Sequence, residues 1–402
     1  AKIFQYLDGR GFLLRTEKYK HEYPHCWRCD TSLIYYARDS WFFAMSRLRE
    51  KMITENSGVN WIPPHIKDGR FGEWLKEAKD WAISRERFWG TPLPVWICEK
   101  CGKTEIIEGR EELSRRAGGY KNEYILMRHG EAVSNVKEVV SVLKEGAEEY
   151  PLTLKGRIAI EENAARLKKE GWKADLIFAS DFLRARETAE ILSKAFGVNV
   201  VFDERLREIN LGIFEGKKNA EYHKAFSGGL ADKFKTAPFG GETLSEVAGR
   251  VFDFISFLER EHSGKKILIV SHEAPLLMLY AIMNGLSEEE ARRMREESRG
   301  DWFETGEARR AVFGRVPRDK RGFADLHRPF IDEFVFTCGE CGGEARRTQE
   351  VMDVWFDSGA MPWASQLPTT NYQLKTKNYP ADYICEAVDQ TRGWFYTLLA
   401  VS

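Results

Sequence analysis

Between about residues 120 and 315, short apolar runs alternate with longer stretches whose apolar positions recur at helical spacing. The runs are "YILMR", "DLIFAS" and "KILIVSH"; the stretches between them include "IEENAARLKKEGW", "RARETAEILSKAFG" and "LSEVAGRVFDFISFLEREH". Strands alternating with helices of this length predict βαβ units, hence an α/β fold with a mainly parallel sheet and helices on both faces. In such sheets, residues that handle ligands gather beyond the carboxyl ends of the strands. Arg128 with His129, Ser180, and Ser271 with His272 each follow one of the runs.

The flanks have another rhythm. Residues 1 to 118 are rich in tryptophan, and "WIPPHIKDGRFGEWLKEAKDWAISRERFWGTPLPVWICEKCGK" passes from a proline-broken turn through a helical stretch to a strand-like "PLPVWI" that ends in a CxxC pair. Most of these indoles are expected in a packed core. After the basic linker "GRVPRDKRGFADLHRP", the aromatic, CxxC-bearing character returns in "FTCGECGGEARRTQEVMDVWFDSGAMPWAS" and "YPADYICEAVDQTRGWFYTLLAVS". The last residues read as a buried helix or strand cut short, which predicts a piece of a longer protein. No internal repeat or low-complexity tract is evident.

Composition changes this picture little. A length of 402 residues favours two or three domains. With 61 basic and 62 acidic side chains the net charge is -1, so no global electrostatic case for nucleic acid arises, although a local patch stays open. No apolar run approaches the length of about 18 residues needed for a membrane span, and the N-terminus lacks the pattern of a secretory signal. A cytoplasmic location is the expectation. Six of the seven cysteines form three CxxC pairs, Cys26/Cys29, Cys98/Cys101 and Cys338/Cys341, leaving Cys385 alone. In a reducing compartment such pairs point to metal ligation or redox chemistry before structural disulfides.

Phosphoryl transfer to a histidine needs a neutral nitrogen held in line, with cationic and N–H donors around the equatorial oxygens. Arginine suits the second task because its planar fork grips two oxygens. Arg128 beside His129 supplies such a pair, and Gly130 lets the backbone approach an anion. Arg184 opens a helix just after a strand, where helix N-terminal amides also favour an anion. His272 follows an equivalent strand, and Glu208 in "LREINLGIFEG" offers a carboxyl that can pass a proton to a leaving oxygen. On these motifs residues 121 to about 315 resemble the histidine phosphatase superfamily, which includes phosphoglycerate mutase-like enzymes. The resemblance implies that His129 becomes phosphorylated, that Arg128, Arg184 and His272 form the phosphate pocket, and that Glu208 is the proton donor. It also implies phosphate support from Asn135 and Thr153, no metal in the chemistry, and a phosphomonoester small molecule as substrate. Glu273 stands where many relatives have glycine, which leaves turnover and substrate choice open.

Four thiolates from two CxxC pairs are the commonest structural zinc site, and Cys98/Cys101 and Cys338/Cys341 are each followed by glycine. More than two hundred residues separate the pairs, far beyond a ribbon loop, so the middle segment is expected to be an insertion in a zinc ribbon. The flanks resemble the isoleucyl-tRNA synthetases, a class I aminoacyl-tRNA synthetase family, through "YPHCWRCDTSLIYYARDSWFF", "RFGEWLKEAKDWAISRERFWGTPLP", "VMDVWFDSGAMPWAS" and "YPADYICEAVDQTRGWFYTLL". The resemblance implies that residues 1–23 end an editing domain, while 24–118 and 325–402 are parts of a Rossmann-like catalytic domain, each with half of the ribbon. It implies that Glu386, Asp389 and Gln390 contact the aminoacyl-adenylate and that Trp89 and Trp394 wall the isoleucine pocket. At 387 an alanine stands where the family usually has glycine. Zn2+ on Cys98, Cys101, Cys338 and Cys341 follows, with Cys26 and Cys29 as half of a second metal site, and His21 and His25 as possible local substitutes for its other ligands. tRNA, isoleucine and ATP would be partners of the intact parent. The HIGH-type and KMSKS-type signatures that bind ATP are not among these 402 residues, so this piece is not expected to charge tRNA alone. For the insert three readings stay open: an active phosphatase, a phosphate- or nucleotide-binding module without turnover, and a purely structural insertion.

Overall fold

The computed structural model describes residues 2–34, 37–86, 90–142, 150–225, 229–298, 301–364 and 381–402. The chain divides into two compact units, Ala1–Trp41 and Phe42–Ser402. The first holds a helix, Lys2–Asp8, and a tight turn around Cys26 and Cys29. The strands of the second are β1 (Phe42–Phe43), β2 (Trp81–Ala82), β3 (Ser84–Arg85), β4 (Val95–Cys98), β5 (Thr104–Ile106), β6 (Glu123–Arg128) and β7 (Leu176–Ala179), followed by β8 (Val200–Phe202), β9 (Lys266–Ser271), β10 (Ala308–Ala311), β11 (Phe336–Thr337), β12 (Glu344–Arg347) and β13 (Val351–Met352).

The middle segment is built on a five-stranded sheet of order β10-β6-β9-β7-β8. β6, β9, β7 and β8 run parallel, and β10 closes one edge antiparallel to β6. Successive side chains of a strand face opposite sides of a sheet. Tyr124, Leu126, Phe178, Ile267 and Ile269 accordingly enter one core with the helices Leu244–Glu261 and Glu273–Met283. Ile125, Met127, Ile177, Ala179, Leu268 and Val270 enter a second core with the helices Leu154–Lys169 and Leu183–Phe196. The latter two helices present Ile160, Ala164 and Leu167, and Ala185, Ala189 and Leu192, at the spacing that keeps one face on the sheet. Helices therefore cover both faces, as the apolar pattern predicts, and the two cores account for strands that read as unbroken apolar runs. Thr153 accepts the Gly156 N–H at 2.9 Å to cap the first of these helices, and Thr243 and Glu246 form a capping box at the start of Leu244–Glu261.

A smaller antiparallel sheet, β11-β12-β4-β5, joins strands from either side of the middle segment. Ala345 lies opposite Cys98 and Arg347 opposite Trp96. Trp96, Ile107, Leu113, Ile331, Phe334 and Phe336 form its core. The buried Arg347 guanidinium donates to Asp332 Oδ1 at 2.7 Å and to the carbonyls of Leu93 and Glu350. The two ends of the middle segment meet: the Tyr120 and Phe313 rings stack at 4.9 Å, and Arg315 donates to the Ala117 carbonyl at 2.9 Å. Arg110, on the helix Arg110–Ala117, grips the buried Glu290 with two bonds of 2.6 and 3.1 Å.

Candidate functional site

The β6–β9 register places Arg128 opposite Ser271, so the residues that follow, His129 and His272, leave the sheet side by side with ring centroids 5.0 Å apart. The His129 N–H donates to the Ser271 carbonyl at 3.0 Å, fixing one strand end to the other. Arg184 arrives from the first turn of Leu183–Phe196, which follows β7. Arg128, His129, Arg184 and His272 are all buried.

His129 Nδ1 lies 2.8 Å from the Gly130 carbonyl. Only a protonated Nδ1 can donate there, which makes Nε2 the unprotonated nitrogen, the one whose lone pair can act as a nucleophile. Arg184 Nε donates to that Nε2 at 3.1 Å. Burial first, then the Arg184 and Arg128 charges, hold His129 well below the ordinary imidazole range, so the ring is neutral at physiological pH. His272 is lowered in the same way, by burial and then Arg184. Burial, opposed by Glu208 and reinforced by Arg128, lowers Arg184 to about 10, which still leaves it cationic near neutrality.

Among the described residues, three buried polar atoms around this point have no hydrogen-bond partner: Arg128 Nε, Arg184 Nη1 and His272 Nδ1. An unpaired buried donor costs about 1–3 kcal/mol, and the two on Arg128 and Arg184, with the His272 nitrogen beside them, mark a place where an anion can be received. A cavity of about 230 Å³ opens beside His129, lined by Arg128, His129, Asn135, Arg184 and Glu208 among others; His272, whose ring lies 5.0 Å from that of His129, is not among its lining residues. The Glu208 carboxylate accepts the N–H groups of Ile209, Glu273 and Ala274 at 2.9, 3.1 and 3.2 Å, the last two at the start of Glu273–Met283. Asn135 Oδ1 accepts the Ala132 N–H at 3.0 Å. Thr153 does not join the group. Its hydroxyl donates to Glu131 at 2.8 Å while capping its helix, and it is absent from the cavity wall.

The surroundings place Ser180, which follows a strand run in the sequence, and add Thr188, which motif spacing left out. Ser180 Oγ lies 2.9 Å from His272 Nε2, and Thr188 Oγ1 accepts the Gly130 N–H at 3.0 Å while donating to the Arg184 carbonyl at 2.8 Å. Thr188 lies one helical turn beyond Arg184, a spacing that puts both on one face and offered a signal. Gly130 has no room for a side chain, since a Cβ there would stand 2.9 Å from the Gly156 carbonyl. Two carboxylates also reach Arg128: Asp301 Oδ2 at 2.5 Å and Glu273 Oε2 at 3.3 Å from Nη1, with the Phe303 carbonyl at 2.5 Å. Glu273 further accepts the N–H groups of Trp302 and Phe303. It thus serves as an anchor for that loop as well as a charge at the cavity.

Cys98, Cys101, Cys338 and Cys341 form a second constellation, with all four sulfurs within 4.8 Å of one another. Cys98 and Cys341 sulfurs are 3.4 Å apart, and those of Cys101 and Cys338 3.9 Å. Four sulfurs bound tetrahedrally to zinc would stand about 3.8 Å from each other, so the donor set fits that ion. Each pair sits in the same turn. Cys98 N–H donates to the Lys103 carbonyl and Gly102 N–H to the Cys98 carbonyl; Cys338 with Gly343, and Gly342 with Cys338, repeat the pattern. Gly102 and Gly342 have φ of +72° and +70°, which explains the glycine after each pair. The N–H of Cys101 holds the Cys98 thiol below its usual range. Cys26 and Cys29 make the same turn, with Asp30 at φ 55° in the glycine position. His21 and His25 do not join them: His21 Nδ1 bonds the Glu22 carbonyl and His25 Nε2 the Ser32 hydroxyl. The four-cysteine group is the metal-ligand cluster found among the described residues.

A third place is the shallow depression lined by Glu386, Gln390 and Trp394 together with Trp355, Ser358 and Met361. Gln390 Oε1 accepts the Trp394 N–H at 2.8 Å, and Trp394 Nε1 donates to the Ser358 carbonyl at 3.1 Å. Asp389 is not part of the depression; it stands 3.8 Å from Arg70. Trp89 lies outside the described residues. Trp355, within "VMDVWFDSGAMPWAS", supplies a further indole to the depression.

Strand-end histidines beside buried arginines, and a cysteine cluster closed by two distant chain segments, define two classes of protein within one chain. The chain belongs to the tRNA synthetases class I (I, L, M and V), matched over residues 9–151 and 295–402, and residues 124–300 match the histidine phosphatase superfamily (branch 1). More particularly, it is similar to isoleucine–tRNA ligases. That of Dehalococcoides mccartyi is 27% identical over 404 residues, covering 100% of this chain and 20% of the relative. That of Thermus thermophilus is 54% identical over 115 residues, 29% of this chain and 11% of the relative. The chain thus spans about a fifth or less of the length of these relatives. Among solved structures, a mycobacterial glucosyl-3-phosphoglycerate phosphatase matches with a TM-score of 0.42 and 24% identity, over 50% of this chain and 94% of its own. The α-ribazole phosphatase of Shigella flexneri matches with a TM-score of 0.37 and 27% identity, over 42% and 83%. No helix among the described residues is long and apolar enough to cross a membrane.

Proposed function

We propose that the middle segment is a phosphomonoesterase working through a phosphohistidine, inserted into the zinc ribbon of an isoleucine–tRNA ligase. The observation that carries the first half is the pair of unpaired buried donors on Arg128 and Arg184, with the His272 nitrogen beside them, around a neutral His129. An incoming phosphate takes the Arg184 N–H groups, freeing His129 Nε2. That nitrogen attacks phosphorus in line as the ester oxygen leaves with a proton from Glu208. Arg128, Arg184 and the N–H of His272 Nδ1 hold the equatorial oxygens, where charge is spread. Water then attacks the phosphohistidine, returning its proton to Glu208 and releasing inorganic phosphate.

The reading of the host rests on the depression lined by Trp355, Gln390 and Trp394, whose indoles and amide suit a branched aliphatic amino acid, and on the cysteine cluster as a structural zinc ribbon. Zinc would tie the strands before the insert to those after it. ATP-dependent joining of isoleucine to tRNA is assigned to the parent, in the cytoplasm, with Cys26 and Cys29 as half of a further metal site. A second reading of the insert is favoured by one observation: Asp301 and Glu273 already occupy Arg128. On that reading the cavity binds phosphate or a nucleotide without turning it over. Release of phosphate from a generic aryl phosphate, abolished by His129→Ala, supports catalysis; phosphate binding with no release in the unaltered chain supports the binding module.

A further inference from the structure

The carboxylates that meet Arg128 grip one end of its guanidinium and leave another nitrogen bare. Nη1 alone takes Asp301 Oδ2 and the Phe303 carbonyl, each at 2.5 Å, and Glu273 Oε2 at 3.3 Å. Glu273 and Asp301 are the carboxylates that form ion pairs with Arg128 among the described residues. The buried Nε has no partner among those residues, and neither has Arg184 Nη1. An acidic plug would satisfy the donors that a phosphate needs; these acceptors take a different nitrogen and leave those donors open. Because the guanidinium is planar and rigid, fixing Nη1 also fixes the direction of Nε. Glu273 contributes to this twice. Besides its own bond to Nη1, its Oε1 and Oε2 accept the N–H groups of Trp302 and Phe303 at 2.7 and 3.1 Å, which holds the loop that brings Asp301 and the Phe303 carbonyl to Arg128. The Glu273 backbone is fixed in turn, since Glu208 accepts its N–H at 3.1 Å, and Arg295 Nε stands 4.0 Å from Oε1. Burial pushes the Glu273 carboxyl up, and the Arg128 charge is the strongest of the groups that pull it back.

We infer that Glu273, together with Asp301, is a positioning residue for the phosphate site: it holds Arg128 by Nη1 so that Nε stays open to the anion that Arg184 Nη1 also receives. The inference rests on the phosphatase reading of the cavity, and it gives the two carboxylates the role of supports for Arg128 in place of competitors for it. An arginine left to rotate must be ordered by each incoming anion, at a cost in affinity; one already pinned is not. The sign of the effect is diagnostic. Removing a negative charge beside an anion site by itself favours the anion, so weaker binding on neutralising Glu273 carries the mark of lost positioning.

The test is titration of inorganic phosphate into the full chain by calorimetry, with release from an aryl phosphate measured alongside. Glu273→Gln is expected to weaken phosphate binding about tenfold, a difference of about 1.4 kcal/mol. Asp301→Asn, at an exposed carboxylate whose replacement leaves the core untouched, should act in the same direction. Both substitutions are then repeated in an Arg128→Lys background, which keeps a cation but has no second nitrogen to aim. There each should cost at most about twofold, whereas a general loosening of the fold would weaken binding equally in both backgrounds. Unchanged or tighter binding in both Glu273→Gln and Asp301→Asn, or an equal loss in the Arg128→Lys background, overturns the positioning role and leaves the phosphatase reading intact. If the unaltered chain neither binds phosphate nor releases it from an aryl phosphate, the phosphatase reading and the inference fall together.

Discussion

The parallel sheet and the cysteine sheet solve the problem of holding a site together by opposite means. In the first, strands buried on both faces are packed so fully that Leu126, Ile177, Ile267 and Val270 are 0% exposed, and the chemistry is carried at the strand ends by an already rigid scaffold. In the second, β5 and β11 have three and two residues, and the four sulfurs gather beside the few hydrogen bonds by which β4 pairs with β12. A hydrophobic core can position a catalytic group without a cofactor, whereas a sheet this small is expected to need its ion. On the proposed reading of the middle segment as an insertion in a zinc ribbon, the host needs only that the segment's ends meet, as Tyr120 and Phe313 do.

Removing the metal should separate the two most sharply. Structural zinc contributes about 10–16 kcal/mol in small metal-folded domains. A chelator is therefore expected to raise amide exchange in β4, β5, β11 and β12 while β6, β7 and β9 stay protected; equal loss in both sheets would break the distinction. His129→Ala should lower phosphate release at least about a thousandfold, about 4 kcal/mol of barrier, with the metal content unchanged. Ile269→Ala, in the core of the parallel sheet, should destabilise that sheet by about 2–5 kcal/mol, read in denaturant, and leave the cysteine site loaded. The last effect is that of acid. His129 and His272 are held neutral in the folded chain, below their unfolded value of about 6.5, so the unfolded state takes up protons that the folded state refuses. Stability is then full above about pH 6.5 and falls below it, by about 1.4 kcal/mol per pH unit for each histidine. His272→Gln should remove one of the two contributions to that slope.

How much of this the sequence disclosed follows from the range of the forces involved. Strand ends and helix starts are local, so Arg128, His129, Arg184 and His272 could be placed around one point from apolar periodicity and resemblance. β10 could not be read this way: its sequence "ARRA" carries no apolar run, and it is a strand because β6 offers an edge to pair with. The carboxylates on Arg128 come from residues about 145 and 173 positions away, a proximity that no spacing encodes. Thr153 misled because a threonine before a helix serves equally as a cap, and here the cap wins.

The relation of guest to host is tested most directly by the metal itself. X-ray absorption on the reduced, zinc-loaded chain should show one ion with four sulfur neighbours that is lost alike in Cys101→Ser and Cys338→Ser, although these residues lie on opposite sides of the insert. Retention of that ion in either variant, or an ion served by one CxxC pair alone, would contradict a ribbon closed across the phosphatase domain.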